Sequence, residues 1–174
     1  KSRFASLPPA RSMSDKTRAG GGEDAPASVG TVGQPVPRPA TQYRTARGGE
    51  LFQVSVPSNW TGVSATNSVK FVPQNGLGEY QGQNVFTHGV ELGVARSSSR
   101  DLNDATDTFV NAIMRSNPGM QIAGSQRQVT MSQRPGIGTI LSGRSALNQG
   151  ERVGVFTTFL ADGNLFYYLT VVPE

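Results

Sequence analysis

Cysteine is absent from this 174-residue chain, and histidine and tryptophan occur once each. Without thiols there is no disulfide scaffold, no cysteine-based zinc or iron–sulfur site and no thiol nucleophile, and redox compartment leaves no trace. The single histidine, His88, excludes a two-histidine zinc site or a His-Glu-x-x-His helix within the chain. No run of about 18 apolar residues occurs, so no stretch reads as a membrane-spanning helix. Gly-x-Ser-x-Gly and Gly-Lys-Ser/Thr motifs are missing, and Gly76-Leu77-Gly78 and Gly136-Ile137-Gly138 lack the spacing of a dinucleotide fingerprint. The chain opens Lys1-Ser2-Arg3, with no initiator Met and no apolar stretch like a signal-peptide core, and is expected to be a fragment of something longer.

The formal net charge is +4, but it is unevenly placed. Residues 1–49 carry eight basic and three acidic side chains, whereas residues 50–174 carry eight basic and nine acidic ones. The first segment also holds six of the 11 prolines, a Gly20-Gly21-Gly22 run and only two aromatics, Phe4 and Tyr43. It has too little apolar surface to offset the entropy of ordering, and is expected to be a disordered linker. A helix end is expected at 1–7, stopped by Leu7-Pro8-Pro9, and Pro35-Val36-Pro37-Arg38-Pro39 should form an extended, stiff spacer. Proteolysis should cut within 12–48 and leave a fragment beginning near Arg47.

Residues 50–174 hold 48 apolar side chains, 11 of them aromatic, enough for one compact domain. Phe52, Val54 and Val56 alternate with polar residues, the period of a half-buried strand that ends at Pro57-Ser58-Asn59-Trp60. Trp60 is expected to cover the sheet beside Phe52 and Phe71. Ser68–Val72 reads as a second strand, Gln74–Gln83 as a loop with exposed Tyr80, and residues 85–94 as a third strand region. One helix stands out, Leu102 to Ser116. Asp101 caps it, Asp104 and Asp107 favour the positive end of its dipole, and Pro118 stops it. Leu102, Ala105, Phe109, Ala112 and Ile113 share one face, which should pack on a sheet. Further strands are expected at about 121–131, 136–144, 151–160 and 165–172, with a tight hairpin at Ala161-Asp162-Gly163-Asn164. The last strand is apolar on both sides of the pleat and should be central, with both faces covered. The fold class is therefore α+β: an antiparallel sheet of about six to seven strands with one helix packed on it, preceded by a linker. One helix shields only part of such a sheet, so either another element covers a face or a closing helix lies beyond Glu174.

Chemistry is sparse. His88 could act as a general base only with a serine and an oxyanion hole beside it, and as a lone strand histidine it reads as a surface or edge residue. Asp101, Asp104 and Asp107 are spaced as helix-capping acids and lack the ligand pattern of an EF-hand. Arginines 96, 100, 115, 127, 134, 144 and 152 are scattered, and Arg44 and Arg47 near Tyr43 are the closest approach to a basic patch, so sequence-specific nucleic-acid recognition is unsupported. No catalytic, cofactor-binding or metal residue can be named.

Lys1-Ser2-Arg3-Phe4-Ala5-Ser6-Leu7-Pro8-Pro9-Ala10-Arg11 resembles the segment that closes the catalytic domain of bacterial HtpX-like zinc metallopeptidases. The stretches Arg47 to Trp60, Asp101 to Thr106 and Arg115 to Met120 resemble the C-terminal extension some of these peptidases carry. The strand running into Pro57-Ser58-Asn59-Trp60 is also similar to the opening of PsbP-like domains. The resemblance implies a bacterial cell-envelope protein, periplasmic in placement, whose zinc-binding helix lies upstream of Lys1. It implies that this chain itself is a tethered, non-catalytic module for a protein partner or substrate protein, holding zinc nowhere in its own residues. The alternative is a stand-alone PsbP-like binding or assembly protein that docks through its basic tail.

Overall fold

A computed structural model describes residues 14–15, 29–48, 50–144, 147 and 150–173. In chain order the elements are β1 (Ser14–Asp15), β2 (Tyr43–Gly48), β3 (Phe52–Pro57), β4 (Thr61–Ser64), β5 (Ser68–Val72), β6 (Leu77–Tyr80) and β7 (Gln83–Phe86). There follow β8 (Gly89–Ala95), α1 (Leu102–Ser116), β9 (Met120–Ile122), β10 (Arg127–Met131), β11 (Arg134–Gly143), β12 (Glu151–Phe159) and β13 (Leu165–Pro173). The main sheet has eight strands in the order β10-β11-β12-β13-β8-β5-β4, with β9 pairing β11 beside β10. Among the described residues every pairing is antiparallel. The α+β class and the single helix are as the sequence predicts, for the described residues. The strand count is larger than six to seven, because β2, β4 and β6 are short pieces whose apolar residues are too few to set a period and because the runs expected at 85–94 and 121–131 each divide in two.

Helix α1 begins where Asp101 Oδ1 accepts from the backbone N–H of Asn103 (2.8 Å) and Asp104 (3.1 Å), which satisfies two of the donors a helix start leaves unpaired. It buries Ala105, Thr106, Phe109, Val110 and Ile113 against β11, β12 and β13. The Phe109 and Tyr167 ring centroids lie 4.7 Å apart, and the Thr106 and Thr157 hydroxyls hydrogen-bond at 2.7 Å across the helix–sheet interface. Thr106 and Val110 widen the expected stripe, whereas Ala112 is only half-buried. The edge run expected at 121–131 is divided. The registers of β9 and β10 on β11 differ by two residues, so Ala123–Gln126 is a bulge, tied back to the helix by Gln126 Nε2 donating to Asp107 Oδ1 (2.9 Å).

Three expectations near the N-terminal side need correction. The boundary at residue 49 falls too late: Tyr43–Gly48 is a strand, paired along its whole length with β3, and Ala46 and Val32 are both buried. Only Ala46 among the sheet-facing residues of β2 is apolar, so no alternation marks it, and its partner strand supplies the register. Pro35–Pro39 is no free spacer either. Asn75 accepts from Thr31 N–H and donates to the Pro35 carbonyl, both at 2.9 Å, and Asn59 accepts from Ala40 N–H and donates to the Arg38 carbonyl, also at 2.9 Å. The Gln74–Gln83 loop contains strand β6, which pairs with β7, and Tyr80 is half-buried rather than exposed. The region 85–94 then splits at Gly89, whose φ of +132° no ordinary side chain tolerates, and β7 and β8 enter different sheets. The helix end expected at 1–7 lies outside the described residues.

Two apolar layers result. Odd-numbered positions of β11, β12 and β13 face α1, together with Val72, Leu77, Phe86 and Ala95. On the opposite face the β2–β3 hairpin lies over β4, β5, β8 and part of β13, burying Val56, Phe71, Val90 and Leu92 with Trp60 packed against them. Trp60 thus packs on the apolar cluster that contains Phe71, as its position after the strand-ending proline predicts, whereas Phe52, at the other end of β3, packs on the same cluster with its ring 6.2 Å from that of Phe166. β8 is sealed on both sides. β13 is central, but its hairpin-side residues grade from half-buried Phe166 to Val172, which is 56% exposed, so only one of its faces is fully covered.

Candidate functional site

The residues the sequence offered for chemistry are not brought together. His88 is half-buried beside β7, its Nδ1 2.9 Å from Thr87 Oγ1, and partial burial lowers its pKa below the ordinary imidazole value. Among the described residues no serine bonds it. Asp101 and Asp107 are occupied by the helix start and by Gln126. Among the described residues no group of three or more His, Cys, Asp or Glu side chains is placed to hold a metal ion.

One polar cluster escaped the sequence. Glu91, fully buried, lies 3.3 Å from Lys70 Nζ through Oε2 and accepts a hydrogen bond from the Tyr167 hydroxyl through Oε1 at 2.8 Å. The Lys70 ammonium also stands 5.9 Å from the centre of the Phe86 ring. Burial first, and the Glu91 charge second, push the Tyr167 phenol well above its usual pKa. Gly93 leaves the space that the Tyr167 ring fills; a Cβ there would come within 2.3 Å of the hydroxyl oxygen. Lys70, Glu91 and Tyr167 lie on three neighbouring strands, and only the register places them side by side. The cluster faces the α1 side of the sheet and clamps three neighbouring strands.

A surface of a different kind lies on the opposite face. Past the β3 edge of the hairpin, β12, β11 and β10 and the outer part of β13 are uncovered among the described residues. Between hairpin and open strands runs a groove of about 550 Å³, with Phe52, Val54, Phe156, Phe166 and Tyr168 among its apolar walls and Met131 and Arg134 at its far end. Register places Ile140, Gly154 and Thr170 in one row across the face and Gly138, Phe156 and Tyr168 in the next. The Phe156 ring occupies the space beside Gly136, where a Cβ would approach it to 2.5 Å, and Val129 packs beside Gly138. The floor is consequently low and apolar. Six large hydrophobic residues of the described chain are exposed, and four of them, Val129, Met131, Ile140 and Val172, belong to this face. Such concentration marks interaction surfaces, whereas single exposed apolar residues mean little. None of its lining residues was singled out from sequence for binding. The available signal was the mismatch between one helix and a wide sheet.

Comparison with protein-family models and with curated proteins finds no match for this chain. No helix of the described residues is long and apolar enough to cross a membrane.

Proposed function

We propose that this chain is a non-catalytic binding module that takes a protein segment on the open half of its second sheet face. The observation that carries this is that exposed Val129, Met131, Ile140 and Val172 share one sheet face with an apolar groove, which Met131 lines, while the polar clusters are occupied in capping and strand clamping. Leu7-Pro8-Pro9-Ala10-Arg11 and the strand running into Pro57-Ser58-Asn59-Trp60 support placing the module in the C-terminal region of a bacterial HtpX-like zinc metallopeptidase, as a PsbP-like domain of the cell envelope. Tethering would present a bound partner to the protease at raised effective concentration. The zinc and its chemistry belong, on this proposal, to residues upstream of Lys1.

Two measurements test it. A photo-crosslinking amino acid at position 140 or 172 should capture a protein in the cells of origin that the same group at Glu79 or Arg115 does not, and purified domain should rebind that protein. Equal capture at all four positions removes the open face as the binding site. The gene upstream of Lys1 should encode His-Glu-x-x-His. A signal peptide or lipoprotein cysteine directly before Lys1 would instead leave a stand-alone envelope protein with the same binding face.

A further inference from the structure

We infer that the occupant of the open face is an amphipathic α-helix with carboxylates along its flanks. This rests on the binding proposal above and adds the shape and charge of the partner. Strands that look scattered in sequence bring Arg127, Arg134 and Arg152 onto this one face: Arg127 pairs with Gly138, Arg134 with Met131, and Arg152 with Val172, all in rows that point away from α1. All three are exposed. Arg127 and Arg134 make no ion pair among the described residues, whereas Arg152 is engaged within the fold, so the charge selectivity is assigned to the first two. No strand position of the face carries a carboxylate; Glu151, next to Arg152, points to the α1 side and is buried. A domain that is net negative over residues 50–174 thus presents a positive rim around an apolar floor.

The geometry selects a helix. Uncovered strands spaced about 4.8 Å apart give a floor of about 10–15 Å, which suits a helix about 10–12 Å across. An extended segment laid on a sheet face would leave its backbone N–H and C=O groups without partners, whereas a helix satisfies its own. A second copy of this chain would bring arginine rims together. A flat anionic bilayer is held off by the β2–β3 hairpin, which stands about 10 Å above the floor as a packed layer.

The test uses the whole 174-residue chain and two labelled synthetic peptides of about 18 residues, long enough for about five helical turns. Both carry the same leucine stripe, one flanked by glutamates and one by lysines, and binding is read by fluorescence anisotropy at low and high salt. The glutamate peptide should bind at least about 10-fold more tightly, with the gap narrowing as salt screens the rim. Arg127→Glu with Arg134→Glu should reverse the preference, and Ile140→Asp or, independently, Val172→Asp should weaken both peptides. All of these sites are exposed, and unchanged melting confirms that the variants fold. Equal affinity for the two peptides overturns the charge assignment while leaving the apolar site intact. Binding of neither, with crosslinks at position 140 retained, overturns the helix and leaves the binding proposal standing; loss of both sinks both. Sedimentation with phosphatidylglycerol vesicles that Arg127→Glu/Arg134→Glu abolishes would identify a membrane surface as the occupant and overturn the inference.

Discussion

Lys70, Glu91 and Tyr167 show what one register does at the scale of single residues. A carboxylate with no exposed surface is tolerable because an ammonium and a phenol hydroxyl both address it. Glu91→Ala should cost about 3–5 kcal/mol, since it leaves Lys70 nearly buried without its counter-charge and Tyr167 without an acceptor. The triple change Lys70→Met, Glu91→Met, Tyr167→Phe should cost less than Glu91→Ala alone, because no uncompensated polar group remains; urea unfolding that ranks them the other way would show the cluster is a net stabiliser. Tyr167 also makes stability depend on pH. Its phenol keeps its proton in the fold beyond the point at which the unfolded chain loses it, so this contribution is complete below about pH 10 and is lost as pH rises further. His88 acts at the other end. With its folded pKa lowered, the unfolded chain takes up the proton first, so stability should fall as pH drops below about 6.5, and His88→Asn should flatten that slope. A slope unchanged in the variant would assign it to other groups.

At the scale of elements, the β2–β3 hairpin turns a one-sided sheet into a domain with two apolar layers. Trp60 is its anchor, packed beside Phe71 while its carbonyl accepts from Arg44 Nη2 at 2.8 Å. Trp60→Ala should cost about 3 kcal/mol, the low end for a large aromatic because the ring is only part-buried. A melting point within a degree or two of the parent would refute that placement. The clamps from Asn59 and Asn75 change what proteolysis should leave. The protected fragment should begin near Val29 rather than near Arg47, and a chain truncated at residue 49 should lose at least about 2 kcal/mol relative to one truncated at 28, because burial of Val32 alone is worth about that. Equal stability of the two truncations would return residues 29–48 to the linker. The strand alternation of Phe52, Val54 and Val56 was legible in sequence because one of its faces is apolar; β2 was not, since its contribution is backbone pairing with a single alanine turned inward.

For the molecule as a whole, shape and charge distribution decide what the domain can meet. The open face should make the isolated chain prone to self-association at high salt, where the arginine rim is screened, and less so at low salt. Light scattering that shows the opposite salt dependence would remove the rim as the element that keeps copies apart. From the sequence by itself came the α+β class, the helix with its Asp101 cap, the Asp162-Gly163 hairpin and the concentration of positive charge before residue 50, because each depends on neighbours within a few positions along the chain. Tertiary structure alone decided that β2 belongs to the fold, that Lys70, Glu91 and Tyr167 meet, and that Arg127, Arg134 and Arg152 share a face with Ile140 and Phe156. Those are matters of register between strands far apart in sequence, and a shift of one residue would have turned every one of these side chains to the other side of the sheet.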